Sequence, residues 1–167
     1  MSIKLMLSAV LLLAIASSSS LFAQSETQCS DPLSHQFDFW IGEWNVYGQQ
    51  GLVGTNSIKP ILGGCVLQEM WTGSGGSTGS SFNFYDPSIQ QWQQFWVWQN
   101  GTTLHLSGEY IDGKMMLEGT SSGPGGATIM NRITWFNNSD GTVRQLWEQS
   151  SDGQTWATSF DGMYKKE

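Results

Sequence analysis

The feature that most constrains this chain is a recurring turn chemistry. Asp86-Pro87, Asn100-Gly101, Asp112-Gly113, Asp140-Gly141 and Asp152-Gly153 each separate two short runs in which apolar and polar residues alternate. Alternation of this kind places one set of side chains on each face of an extended strand. Asn-Gly and Asp-Gly supply the two positive φ values of a type I′ turn, so each pair predicts a tight hairpin, and neighbouring strands pair in sequence order. No crossover unit of the kind that joins parallel strands is available.

The pattern predicts about ten strands, near 43–49, 54–61, 65–72, 80–85, 91–99, 102–110, 113–119, 127–136, 142–149 and 156–164. An open meander of that length would expose two long edges, and closure removes them. The expected fold is therefore all-β, an up-and-down antiparallel barrel, with a two-sheet sandwich as the alternative. Asp31 to Ile41 departs from period 2. There Asp31 or Ser34 can cap a turn or two of helix whose one face carries Leu33, Phe37 and Trp40, and this short helix is expected to close one end of the barrel. Two Gly/Ser segments, Gly73 to Ser80 and Gly119 to Gly126, are expected to form mobile loops at one rim.

The first 23 residues carry Lys4, an apolar run from Leu5 to Ala16, a Ser tract and a small residue at Ala23. This is the pattern of a secretory signal, with an apolar run too short to span a bilayer. It predicts a single domain over residues 24–167, periplasmic or secreted, without a membrane span. Only Cys29 and Cys65 then remain, and in an oxidising compartment they default to one disulfide, with two free thiols as the alternative. Closing a loop of about 36 residues stabilises by roughly 4 kcal/mol on the chain-entropy model. The two cysteines and the separated His35 and His105 show no metal-ligand spacing. Formal net charge is −7, and loss of Lys4 with the signal makes it one unit more negative. Nucleic acid and anionic lipid surfaces are thereby unsuitable partners. Nine Trp and eight Phe against 13% charged residues exclude disorder and coiled coil. The expected assembly is a monomer or a homodimer.

Gly42-Glu43-Trp44, just after the short helix and opening the first strand, resembles the Gly-x-Trp signature of lipocalins and other calycins. A broader resemblance, covering nearly the whole chain after the signal, is to the bacterial family DUF1579. It is carried by Phe37-Asp38-Phe39-Trp40-Ile41-Gly42-Glu43-Trp44, Leu62-Gly63-Gly64-Cys65-Val66-Leu67-Gln68-Glu69 and Phe84-Tyr85-Asp86-Pro87. It continues through Gln91-Trp92, Trp96, Leu117-Glu118-Gly119 and Arg144-Gln145-Leu146-Trp147-Glu148 to Tyr164. The resemblance implies a calycin-like barrel, similar to lipocalins and nitrobindin, with unassigned biochemical function. It gives Gly42 and Trp44 structural roles, with Arg132 or Arg144 expected to cover Trp44 in a cation–π contact. Nitrobindin-like relatives bind haem through a His on a late strand. Here no His follows His105, so no cofactor is predicted and haem is disfavoured, His105 being the remaining candidate for an iron ligand.

On the strand Gln91 to Gln99, Trp92, Gln94, Trp96 and Trp98 share a face. The same parity groups Cys65, Leu67, Glu69 and Trp71; Ser81, Asn83 and Tyr85; Met130, Arg132, Thr134 and Phe136; and Arg144, Leu146 and Glu148. Pointing inward, these sets enclose an aromatic cavity with a few polar anchors, the usual anatomy of a small-molecule site. The candidate ligand-binding residues are Glu69, Trp71, Asn83, Tyr85, Gln94, Trp96, His105, Arg132, Arg144 and Glu148. Against this stands the ordinary reading of Glu and Arg on adjoining strands as cross-strand ion pairs on a wet face. His105 and Glu109 share a face but lie roughly 13 Å apart on a regular strand, too far for a hydrogen bond.

The leading expectation is an exported barrel that binds a small, partly apolar ligand. One alternative is carbohydrate recognition by exposed Trp92, Trp96, Trp98 or Trp135. Another is an enzyme acting on a small hydrophobic substrate with Glu69, Glu148 or His105 as acid or base. No Gly-x-Ser-x-Gly, His-Glu-x-x-His or Cys–His pairing supports hydrolysis. Ser150 to Trp156 falls one residue short of an Asp-box and reads as a hairpin turn.

Overall fold

The computed structural model describes Cys29–Glu167; the predicted signal lies outside the described residues. Ten strands follow one another: β1 Gly42–Gly48, β2 Gly51–Ile61, β3 Val66–Gly73, β4 Thr78–Asp86, β5 Gln91–Trp98, β6 Thr103–Ile111, β7 Lys114–Ser122, β8 Thr128–Asn137, β9 Val143–Ser150 and β10 Ala157–Lys166. Each pairs antiparallel with its sequence neighbours, and β1 pairs with β10 from Trp44↔Lys166 to Tyr47↔Met163 to close the barrel. The alternation that predicts the strands is the alternation that fills the interior. On β3, for example, Leu67 and Glu69 are buried while Met70 is exposed.

The turns use more varied chemistry than expected. Only Asp112-Gly113 supplies two positive φ values, 50° and 78°. At Asn100-Gly101 the glycine alone is left-handed; Trp98 donates its backbone N–H to Thr102 O at 2.9 Å, and Asn100 Oδ1 accepts from Thr102 N at 3.0 Å. Asp140-Gly141 repeats that design between Asn138 and Thr142. In the turn before β10, Asp152 accepts from the N–H groups of Gln154 and Thr155, which hold its carboxyl down at about 2. The Gly/Ser segments are shorter than the expected loops. Strands β4 and β7 extend into them, and Gly73 N donates to Ser77 O, and Gly123 N to Ala127 O, each at 2.7 Å.

One end of the barrel is closed by the segment before β1. In place of one short helix it forms two 3-10 turns, Pro32–His35 and Asp38–Trp40, the first capped by Asp31, whose carboxylate accepts from Leu33 N at 2.9 Å. Phe37 and Trp40 are fully buried, but Leu33 is exposed, because two turns broken at Phe37 do not keep a single helical face. Phe37 stacks on Trp40 at 4.9 Å and meets Trp135 edge-on at 5.2 Å. Trp44 Nε1 donates to Trp40 O at 2.8 Å. Lys166, rather than Arg132 or Arg144, covers the Trp44 ring at 4.5 Å. The reason is closure: Lys166 is the direct register partner of Trp44. The Cys29–Cys65 disulfide, with Cα atoms 5.2 Å apart, ties the plugging segment to the β2–β3 connection. No helix among the described residues is long and apolar enough to cross a membrane.

Candidate functional site

Away from the plug the barrel interior is hollow. A cavity of about 270 Å³ opens between the strand ends, walled by Trp71, Trp96, Trp98, Trp147 and Phe160 and floored by Glu69, Gln94, Gln145 and Tyr164. The strands set this layering. On β3, Glu69 lies two residues deeper than Trp71, about 7 Å along the strand. On β5, Gln94, Trp96 and Trp98 rise in order from floor to mouth, and on β9 and β10, Gln145 and Tyr164 lie below Trp147 and Phe160.

The floor is one connected polar network. Glu69 Oε1 accepts from Asn56 Nδ2 at 2.7 Å, and Oε2 accepts from Ser81 Oγ at 2.6 Å. Asn83 donates to Ser81 Oγ at 2.8 Å and accepts from Gln94 Nε2 at 2.8 Å. Tyr164 OH accepts from Asn56 Nδ2 at 3.2 Å and donates to Gln145 Oε1. Burial raises the Glu69 carboxyl to about 7 against the opposing hydrogen bonds from Ser81 and Asn56. Burial together with the neighbouring Glu69 holds the Tyr164 phenol well above its ordinary range. Glu69 thus exchanges its proton near neutrality while Tyr164 stays neutral. The ion pairs among the described residues are His35–Asp38, Lys59–Glu43, Arg132–Glu148 and Arg144–Asp161, so none of them neutralises Glu69.

The wall rings are seated on glycines. A Cβ at Gly79 would lie 2.2 Å from the Trp96 ring, and one at Gly54 would lie 2.5 Å from the Trp71 ring. Ser81 is the direct partner of Trp96 and Asn56 of Trp71, so each indole leans along the strand onto the bare backbone next to its partner. Trp147 is fixed differently, its Nε1 donating to Asn131 Oδ1 at 3.0 Å. Trp96 Nε1 is buried without a partner.

Of the candidate residues, Glu69, Trp71, Gln94 and Trp96 line the cavity, and Asn83 supports it from below through Gln94. Tyr85 faces inward but packs towards the plug, 6.3 Å from the Trp92 ring. The remaining four lie elsewhere. His105 is exposed on the outer face, 2.8 Å from Gln93 Oε1. Arg132 donates twice to Glu148 Oε2, at 3.1 and 2.9 Å, and stacks over Trp156 at 4.2 Å. Arg144 donates to both oxygens of Asp161 at 2.8 Å. These are the cross-strand pairs of a wet face. The inward residues of β8 and β9 are the opposite set, including Ile133 and Trp135, and Gln145 and Trp147. The inward grouping of Met130, Arg132, Thr134 and Phe136 and of Arg144, Leu146 and Glu148 is thereby corrected. With His105 outside, and His35 bonded to Asp38 and to Cys29 O at 2.8 Å each, neither imidazole can ligate a haem iron within the barrel. Trp92 and Trp135 are at most 1% exposed and cannot form a sugar-stacking platform.

Sequence reasoning missed Asn56, Tyr164, Gln145, Trp147 and Phe160. Phe160 was hidden by a bulge: Thr158 pairs with Glu148 but Phe160 with Trp147, so residues of equal parity face opposite ways. No family model matches the chain, and no curated protein matches it significantly.

Proposed function

We propose that this chain is an exported, lipocalin-like binding protein that encloses a small, partly apolar molecule in the mouth of its barrel. The observation that carries this reading is the layered cavity, with aromatic walls above a hydrogen-bonded polar floor. Such a hollow exposes indole and phenyl surface that a core would bury, and a few convergent polar groups can orient an apolar guest. The disulfide supports an oxidising compartment. The Gly42-Glu43-Trp44 position and the plugged meander support kinship with the calycins and with DUF1579. The wall residues Trp71 and Trp96 and the floor residues Glu69 and Gln94 are the ligand contacts, with Asn83 behind them.

The test is native mass spectrometry on protein recovered from the cell envelope. An added mass that is released on denaturation, and that is lost in Trp96→Ala, is the expected result. A bare polypeptide mass, together with tryptophan emission that shows no saturable change across a panel of small apolar molecules, overturns the reading.

A further inference from the structure

We infer that the cavity selects a small organic cation, a protonated amine carried on an aromatic or branched apolar body. Its head sits at Glu69 and its body lies among Trp71, Trp96 and Trp98. The inference rests on the reading of the cavity as a ligand site and names the chemistry of its occupant.

Three observations converge. First, the lining contains a single carboxyl, Glu69, and no Lys, Arg or His. Glu69 is 4% exposed, and the two hydrogen-bond donors to its carboxyl, Asn56 and Ser81, are neutral. Each carboxylate oxygen accepts one of these bonds and retains capacity for another. A buried carboxylate satisfied by neutral donors still lacks a counter-charge, and an ammonium group supplies both the charge and the missing N–H donors. Second, the walls above it are indole and phenyl rings, whose π faces attract cations, Trp most strongly. Trp96 and Trp98 meet nearly perpendicular at 5.6 Å, and Trp71 and Phe160 do so at 6.2 Å. These are the corners of an aromatic cage. Third, the whole chain is acidic, at −7, which concentrates cations at its surface. An anionic guest such as a fatty-acid carboxylate meets the opposite conditions at each of these points.

Proton competition follows from the same floor. The elements around Glu69 present Asn56 from β2, Ser81 from β4, Gln94 from β5 and Tyr164 from β10. Tyr164 is the one other titratable group in the lining, and it stays neutral. An ammonium guest therefore competes with the proton on Glu69 alone.

The experiment titrates the wild-type protein with phenethylamine, 2-phenylethanol and 3-phenylpropanoate. These share a body and differ in charge, and binding is read by calorimetry and tryptophan emission. Phenethylamine is expected to bind at least tenfold more tightly than the alcohol at pH 8, and the carboxylate most weakly. With Glu69 titrating at about 7, amine affinity should fall about tenfold from pH 8 to pH 6 while alcohol affinity stays level. In Glu69→Gln both the preference and the pH dependence should vanish. Equal binding of amine and alcohol overturns the cation inference and leaves the cavity a ligand site. Failure of all three to bind also overturns the cation inference, while the ligand-site reading stands or falls on the native mass and the wider panel.

Discussion

At the closed end Phe37, Trp40, Trp44, Trp92 and Trp135 are at most 1% exposed, whereas at the mouth Trp71, Trp96, Trp98 and Trp147 remain partly exposed around a hollow of about 270 Å³. Several of these residues share a strand. Trp92 belongs to the packed end and Trp98 to the hollow, six positions along β5 on the same inward face. What separates them is the plug. Phe37 and Trp40 are delivered by the segment before β1 and fill one end of the barrel, and among the described residues no segment does the same at the other. An aromatic stripe inside a barrel becomes core or site according to what caps it.

The sharpest way to break this comparison is to truncate one ring at each end. Trp135→Ala at the packed end should cost about 3–5 kcal/mol in urea unfolding, through lost burial and an unfilled cavity. Trp98→Ala, already beside empty space, should cost under about 1 kcal/mol. Equal losses would mean that the mouth is packed as core.

Next in size is the charge on the floor. Glu69 titrates at about 7 when folded, against an ordinary 4.5, so the folded protein binds more protons throughout that window. Its contribution to stability is fully present below pH 4.5 and is lost as pH rises through 7. The loss amounts to about 3 kcal/mol. Glu69→Gln should therefore be more stable than wild type at pH 8 by an amount of that order and equal to it at pH 4, as denaturant midpoints at the two pH values will show.

The smallest effect sharpens the wall. Gly79→Ala places a methyl group against the Trp96 ring and should cost about 1–3 kcal/mol. It should also shift tryptophan emission, since the indole must swing into the hollow, whereas Gly75→Ala, with nothing near its Cβ position, should leave the spectrum unchanged.

Much of the fold was legible in the sequence because alternation and turn pairs mark strands locally, and ten such marks leave little choice of topology. The inward faces of β3, β4 and β5 were legible for the same reason. Those of β8 and β9 were misread because their outer faces also carry apolar residues: Met130, Phe136 and Leu146 accompany Arg132, Arg144 and Glu148. Arg144 lies over the Phe136 ring at 5.6 Å, so the outer surface has apolar packing of its own. On β9 the inner face carries Gln145 and Gln149, whose side chains hydrogen-bond within the barrel. Period 2 finds two faces but does not say which one a barrel turns inward. Asn56 and Tyr164 were invisible for another reason: they lie 108 residues apart, and only ring closure between β1 and β10 brings them together.

That closure also fixes where the molecule can be held. Cys29 is bonded to the β2–β3 connection, and Glu167 N donates to Glu43 O at 3.2 Å, so the described chain enters and leaves at the plugged base. A fusion partner, bead or sensor surface attached after Glu167 would leave the aromatic mouth facing solution.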